Sequence, residues 1–359
     1  SGYNRQMFGQ SLIFIFIAAA VLSVIGTRLA LVWLRRRAIL DLPNERSSHS
    51  VATPRGGGIG VMAALLVMGG GIAFSQFPQN EELARGLFGI LALAAALGIV
   101  SWLDDLHTLP AAPRFLTQII TVAFGISLLP DNAPVFQGLL PVWADHLAAG
   151  IAWLWFINLT NFMDGTDGIT AVETGSVGIG LALIFGPVLA VPAFAPLAMT
   201  GAALAGISIG FLVWNRPPAS VFMGDVGAIP LGFVMGWALL VAATQGFLAV
   251  GLILPLYYVG DATITLFKRI FRGEKVWQAH RSHFYQQAAS ALEGPDGVRR
   301  TKAHRHILIV IVACNIILID MAATAAAIPA QTILLSTTAA VAVAALLWYL
   351  ASRKPDREA

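Results

Sequence analysis

Cysteine and charge are what this sequence has least of. One cysteine in 359 residues excludes a disulfide framework. Its setting, Cys314 within HILIVIVACNIILID (306–320), reads as a small buried hydrophobe. Charged residues make up only 11% of the chain against 57% hydrophobic, too little polar surface for a soluble protein of this size. A cysteine–histidine cluster is missing, so zinc chemistry is not indicated. No GK[ST] follows the glycine run at 56–58, so there is no phosphate-binding P-loop either. Neither an internal repeat nor a low-complexity linker divides the chain. The net charge of +3 is modest, and where the charges lie matters more than their sum; no nucleic-acid partner is expected.

What is present is a series of long apolar runs. A bilayer core about 30 Å thick needs about 20 mostly apolar residues per helix. Runs of that size fall at 8–34, 57–76, 86–103, 112–129, 143–160, 169–190, 195–214, 226–245, 247–267, 304–325 and 329–350. The expected fold is therefore an all-α integral membrane protein of about eleven transmembrane helices, a single polytopic domain over 1–359. Residues 1–6, before Met7, read as a tag remnant.

Basic residues set the orientation, because basic loops are retained in the cytoplasm. Arg35, Arg36, Arg37, Arg46, Arg55, Arg216, Lys268, Arg269, Arg272, Lys275, Arg281, Arg299, Arg300, Lys302 and the tail SRKPDREA fall on one side of an eleven-span chain. Only Arg5 and Arg85 fall on the other. The N-terminus is expected outside (periplasmic) and the C-terminus in the cytoplasm. The longest polar stretch, 271–303, then forms a cytoplasmic loop placed to cover a site.

The scarce carboxylates gather on that cytoplasmic face. Asp104 and Asp105 end one span in SWLDDL, Asp164 and Asp167 follow another in NLTNFMDGTDG (158–168), and Asp225 opens a third in VFMGDVG. Aspartates at the C-terminal end of a helix oppose its dipole, which calls for a compensating cation. Three separate loops placing acids at one membrane edge point to a ligand, since such groups are expensive there. Hard carboxylate and amide oxygens suit Mg²⁺, which bridges few protein ligands to substrate phosphates. The loop DLPNERSSHSVATPRGGGIG (41–60) adds Arg46, His49 and Arg55 as phosphate-binding candidates. Its glycine run fits phosphate contact or close helix packing equally well. HRSH (280–283) brings His280, Arg281 and His283, suited to hydrogen-bond a phosphate or sugar. Asp261 is a candidate ion-pair partner for Lys268 or Arg269. A multi-span transporter with an acid-lined site is the alternative reading, although transporter sites lie near the midplane and often on repeats.

In this order, SWLDDL, NLTNFMDGTDG, VFMGDVGA and AHRSHFYQ resemble the polyprenyl-phosphate N-acetylhexosamine-1-phosphate transferase superfamily (MraY/WecA-like) over about residues 8–350. The first loop and the HRSHFYQ form most resemble the bacterial branch that initiates O-antigen, of the WbpL type. The resemblance implies transfer of N-acetylhexosamine 1-phosphate from a UDP-N-acetylhexosamine to undecaprenyl phosphate at the bacterial inner membrane, with Mg²⁺ (or Mn²⁺) and release of UMP. It implies that Asp104 and Asp105 position or deprotonate the lipid phosphate, with Asp164 close by. It also implies that Asn161 and Asp225 bind the metal, that Gly165 and Asp167 line a nucleoside pocket, that Phe222 stacks on uracil, and that the chain forms a homodimer. The triple histidine of the muramoyl-pentapeptide enzymes is absent from HRSH, which argues against a peptide-bearing substrate.

Overall fold

A computed structural model of the chain describes residues 2–41, 52–78, 81–130, 133–274, 280–293 and 297–353. Among these residues there are thirteen α-helices and one two-stranded ribbon. The helices are α1 (Gly2–Arg36), α2 (Gly58–Gln76), α3 (Glu81–His107), α4 (Ala111–Ile126), α5 (Val142–Met163), α6 (Ile169–Leu183), α7 (Ala195–Asn215), α8 (Asp225–Thr244), α9 (Leu248–Ile253), α10 (Leu256–Phe271), α11 (Phe284–Leu292), α12 (Gly297–Ala327) and α13 (Thr332–Ala351). The ribbon pairs β1 (Leu40–Asp41) antiparallel to β2 (Thr53–Pro54). Eight helices are long and apolar enough to cross a membrane, and α4 is apolar but shorter. The protein is a multi-span, all-helical membrane protein.

Local chemistry sets the helix ends. Prolines at 110 and 141 immediately precede α4 and α5, where a missing N–H loses no bond. Gly168 and Gly224, at φ +80° and +75°, turn the chain into α6 and α8. The expected single helix at 247–267 is instead two, α9 and α10, separated at Pro255. Proline removes the amide that would bond one turn back and crowds that carbonyl, so the apolar run continues while the helix does not. α1 begins at Gly2, so the residues read as a tag remnant continue its first turns.

The bundle is organised around α8. Some 94% of its apolar window is buried, against 22% for α1 and 28% for α13, which leave apolar faces outward for lipid. Without a hydrophobic drive between helices in lipid, close approach relies on small residues. At the α6–α7 crossing, a Cβ on Gly178 would stand 2.6 Å from the Ala205 backbone, and one on Gly201 2.6 Å from that of Ala182. The same central helix starts at Asp225, so the best-buried element of the fold carries a carboxylate at its first residue.

Candidate active site

Adjacent residues on a helix project about 100° apart, and the two aspartates ending α3 accordingly take different partners. Asp104 accepts from the Leu109 amide at 2.7 Å and from the Arg114 guanidinium at the start of α4. Asp105 accepts from the backbone amides of Asp225 (3.3 Å) and Val226 (3.0 Å) and pairs with Arg55 Nη2 at 2.9 Å. The compensation demanded by the α3 dipole is thus met twice, by arginines and by the N-terminus of α8. The residue preceding α8, Gly224, carries no side chain to cap it, and a Cβ there would lie 2.8 Å from Asp105 Oδ2. A carboxylate from α3 does the capping instead.

Asp225 sits between the two arginines. Its Oδ1 accepts from Arg55 Nη2 at 3.0 Å, while Oδ2 lies 3.4 Å from Asn161 Nδ2 and 3.7 Å from Arg114 Nη1. Asn161 is in the last turn of α5, and Asp164 terminates that helix. Burial pushes the Asp164 carboxyl up to about 6, opposed by a hydrogen bond from Thr170 and reinforced by the charges of Asp225 and Asp105. Carboxylates from α3, the end of α5 and α8 therefore do meet, with Arg55 and Arg114 among them.

A second half of the site is built mainly from backbone bonds. Asp167 Oδ2 accepts from the Ala219 amide at 3.0 Å, and the Gly168 amide donates to Asn215 Oδ1 at 2.8 Å. Asn215 in turn donates to the Val221 carbonyl at 2.8 Å, so the 164–168 and 215–222 loops are tied together. Phe222 donates to the Pro54 carbonyl at 2.8 Å and its own carbonyl accepts from Gly56 (3.2 Å) and Gly57 (2.8 Å). The Gly58 amide bonds the Met223 carbonyl at 2.9 Å. The amides of the glycine run are therefore spent on the 222–223 backbone, and a Cβ on Gly58 would meet Gly227 N at 2.4 Å. Of the two readings of that run, close packing is the one realised.

α11 lies over this half. Tyr285 donates its hydroxyl to the Met163 carbonyl at 2.8 Å. A Cβ on Gly165 would come within 2.4 Å of Gln286 Nε2 and 2.6 Å of Tyr285 Oη, so Gly165 is where the loop and α11 touch. Ahead of α11, His280 is half-buried with its ring 4.8 Å from that of His283, and burial plus the nearby His283 and Arg269 charges push it down to about 4. Arg281 is half-buried beside it.

Two residues singled out from sequence, His283 and Asp261, pair with each other. His283, expected among phosphate or sugar ligands, is buried, with Nδ1 3.2 Å from Asp261 Oδ1. Asp261 also accepts from the Phe284 (3.1 Å) and Tyr285 (3.3 Å) amides. The His283–Asp261 pair thus anchors the start of α11 on α10. Asp261 is consequently not the partner of Lys268 or Arg269. Lys268 lies 4.3 Å above the Phe284 ring and Arg269 pairs with Glu274 at 2.7 Å. Arg46 and His49 lie outside the described residues. Arg114, Gln286 and Asn215 were not singled out from sequence, whereas Tyr285 stands out as an aromatic of the 271–303 stretch able to rest at the headgroup level or cover a pocket. Arg114 was visible as the cation of TLPAAPR, ten residues past Asp104, but the stretch reads first as a turn.

Among the described residues no group of three or more His, Cys, Asp or Glu side chains forms a ready metal cage. The donor set still fits Mg²⁺. It offers hard oxygens from Asp225, Asn161 and Asp164 in an open arrangement, and Mg²⁺ commonly takes one or two carboxylates and completes its shell with waters and substrate phosphate.

The stretch from 87 to 243, which holds every element of this carboxylate cluster except Arg55, matches the family described as Glycosyl transferase family 4. The chain is 26% identical over 287 residues to a probable undecaprenyl-phosphate N-acetylglucosaminyl 1-phosphate transferase of Bacillus subtilis, covering 76% of each. It is 32% identical over 235 residues to a phospho-N-acetylmuramoyl-pentapeptide-transferase of Mycobacterium avium, covering 54% of this chain and 64% of that one. With a decaprenyl-phosphate N-acetylglucosaminephosphotransferase of Mycobacterium leprae it shares 29% identity over 250 residues, covering 63% of this chain and 60% of that one. The match thus spans less than two thirds of the two mycobacterial relatives. The family match covers residues 87–243, the part that builds the carboxylate cluster.

Proposed function

We propose that the protein transfers N-acetylhexosamine 1-phosphate from a UDP-N-acetylhexosamine to undecaprenyl phosphate, giving undecaprenyl-diphospho-N-acetylhexosamine and UMP. We place the reaction at the cytoplasmic face of the bacterial inner membrane, as the first membrane step of O-antigen or related surface polysaccharide synthesis. The observation that carries this reading is the meeting of Asp104, Asp105 and Asp225 with Arg55 and Arg114 at one set of helix ends. The relatives' activities on polyprenyl phosphates support it. A site at helix ends rather than at mid-helix favours a lipid-phosphate enzyme over a transporter.

Two anionic phosphates must approach each other in this reaction, so positive charge has to be redistributed onto them. Arg55 and Arg114, held on carboxylates in this structure, supply it by turning to phosphate oxygens. Asp225 and Asn161, with Asp164 beside them, would hold Mg²⁺ or Mn²⁺, which when bound offsets charge on the diphosphate. Asp104 and Asp105 orient the acceptor phosphate or take its proton. An acceptor oxygen then forms a bond to the β-phosphorus while the bond from that phosphorus to the bridging oxygen breaks, and UMP leaves with the bridging oxygen. The acceptor oxyanion is already a competent nucleophile near neutral pH, so no covalent enzyme intermediate is needed. Asp167 and Gly165 line the nucleoside pocket, Phe222 stacks on the base, and His280 and Arg281 reach the diphosphate or sugar.

The test is UMP release by purified protein given Mg²⁺, undecaprenyl phosphate and a panel of UDP-sugars. Asp104→Asn, Asp105→Asn and Asp225→Asn should each lower the rate by at least about a hundredfold, the scale of losing a key electrostatic group. Release unchanged in all three variants would overturn the site, and failure to release UMP with any UDP-N-acetylhexosamine would overturn the function.

A further inference from the structure

His304, in the second turn of α12, lies outside the stretch that matches the family. Its side chain is only 3% exposed although it neighbours a run of surface basic residues. The ring stands between two carboxylates, with Nδ1 3.6 Å from Asp167 Oδ2 and Nε2 3.0 Å from Glu293 Oε1. The contact with Glu293 is within hydrogen-bond range and that with Asp167 within ion-pair range, so one ring bridges the two carboxylates. Glu293 directly follows α11, which rests on the Met163 carbonyl and Gly165. The next residue of α12, Arg305, donates to the Pro217 carbonyl through Nε (3.3 Å) and Nη2 (3.1 Å), two residues before the Ala219 amide that also holds Asp167. The start of α12 thus grips both loops that frame Asp167 and Phe222.

We infer that His304 is a positioning residue for nucleotide recognition: it fixes Asp167 Oδ2 so that the other carboxylate oxygen faces the uracil base of the donor. Ala219 and His304 both engage Oδ2, and none of the described bonds uses Oδ1. The link from Asp167 through His304 to Glu293 also means that the nucleoside side of the site and the seating of α11 share one buried ring. This inference rests on the proposed UDP-sugar reaction.

The two ring nitrogens can be separated by substitution, because an asparagine amide reproduces the position of Nδ1 and a glutamine amide that of Nε2. The full-length protein and its His304→Ala, His304→Asn and His304→Gln variants are titrated with UMP by calorimetry, and KM for the UDP-sugar and kcat are measured at saturating undecaprenyl phosphate. Ala and Gln should weaken UMP binding and raise the donor KM about tenfold, the scale of one hydrogen bond to a charged group. Asn should stay within about threefold of wild type, and kcat and the acceptor KM should be little changed in all three. Wild-type UMP affinity in every variant would overturn the inference, as would rescue by Gln but not Asn, which would make His304 only a clamp between α11 and α12. If His304→Ala does not fold, the contrast between Asn and Gln decides alone. A wild-type protein that binds neither UMP nor any UDP-sugar would overturn the proposed function itself.

Discussion

The two halves of the site are held together by different forces. On the α3–α4–α8 side, side-chain charges do the work: three aspartates are neutralised by two arginines and by the first amides of α8. On the 164–168 and 215–222 side, backbone amides and carbonyls do it, through Asn215, Ala219, Val221, Pro54 and Gly56. Charge pairs between long side chains can be exchanged for substrate phosphates without moving the chain, whereas a backbone lattice cannot be exchanged and so keeps its shape. The first half is thus suited to a substrate whose charge is being rearranged, and the second to recognition of a fixed outline.

If that division holds, breaking the ionic half should have the largest effect. Arg114→Ala should lower UMP release about a hundredfold, because Asp104 and Asp225 both lose a cation while the phosphates lose theirs. Combining it with Asp104→Asn should cost little more than the worse single change, since the two act as one unit. Independent, multiplying effects would mean that the arginine and the aspartate act separately. In the backbone half, Gly165→Ala should reduce turnover about tenfold by driving a methyl group against Tyr285 Oη and Gln286. Adding Tyr285→Phe should restore part of the loss, although Tyr285→Phe alone removes the bond to Met163 and about 1 kcal/mol of thermal stability. A double variant as poor as the product of the singles would show that α11 does not press on the loop.

The smallest effect concerns Asp164, whose carboxyl is raised to about 6 between the two halves. A raised acid favours its protonated form in the folded state, so its contribution to stability falls as pH rises from the ordinary carboxyl range through about 6. In substrate-free, metal-free protein, Asp164→Asn should therefore raise the melting temperature relative to wild type at pH 7.5 but hardly at pH 4.5. An equal shift at both pH values would place the origin of the effect outside this carboxyl.

Much of the helical frame could be read from run length alone, because apolar stretches of bilayer length leave the backbone few alternatives. The break at Pro255 was marked by its residue type but hidden by uninterrupted apolar flanks. That Asp104, Asp105, Asn161, Asp164 and Asp225 come together followed from their places at helix ends. What they touch did not. Arg114 lies 111 positions before Asp225, and His283 finds Asp261 22 residues upstream, on the helix before it. Such pairings depend on how helices stand beside one another, which no periodicity within a single helix encodes. Asp105 is the sharpest case: an acid at a helix end reads as a ligand for something bound, yet two of its bonds go to the backbone of another helix.

That last arrangement bears on how the chain assembles. α8, the hub of the bundle, does not carry the group that finishes its own first turn. The group arrives from 120 residues earlier in the chain, on a helix that is synthesised first. Seating α8 beside α3 and completing its leading turn are therefore one event. A polypeptide that mispaired these two helices would leave amides open at the membrane edge and the aspartate without its place, so correct helix pairing and formation of the site stand or fall together.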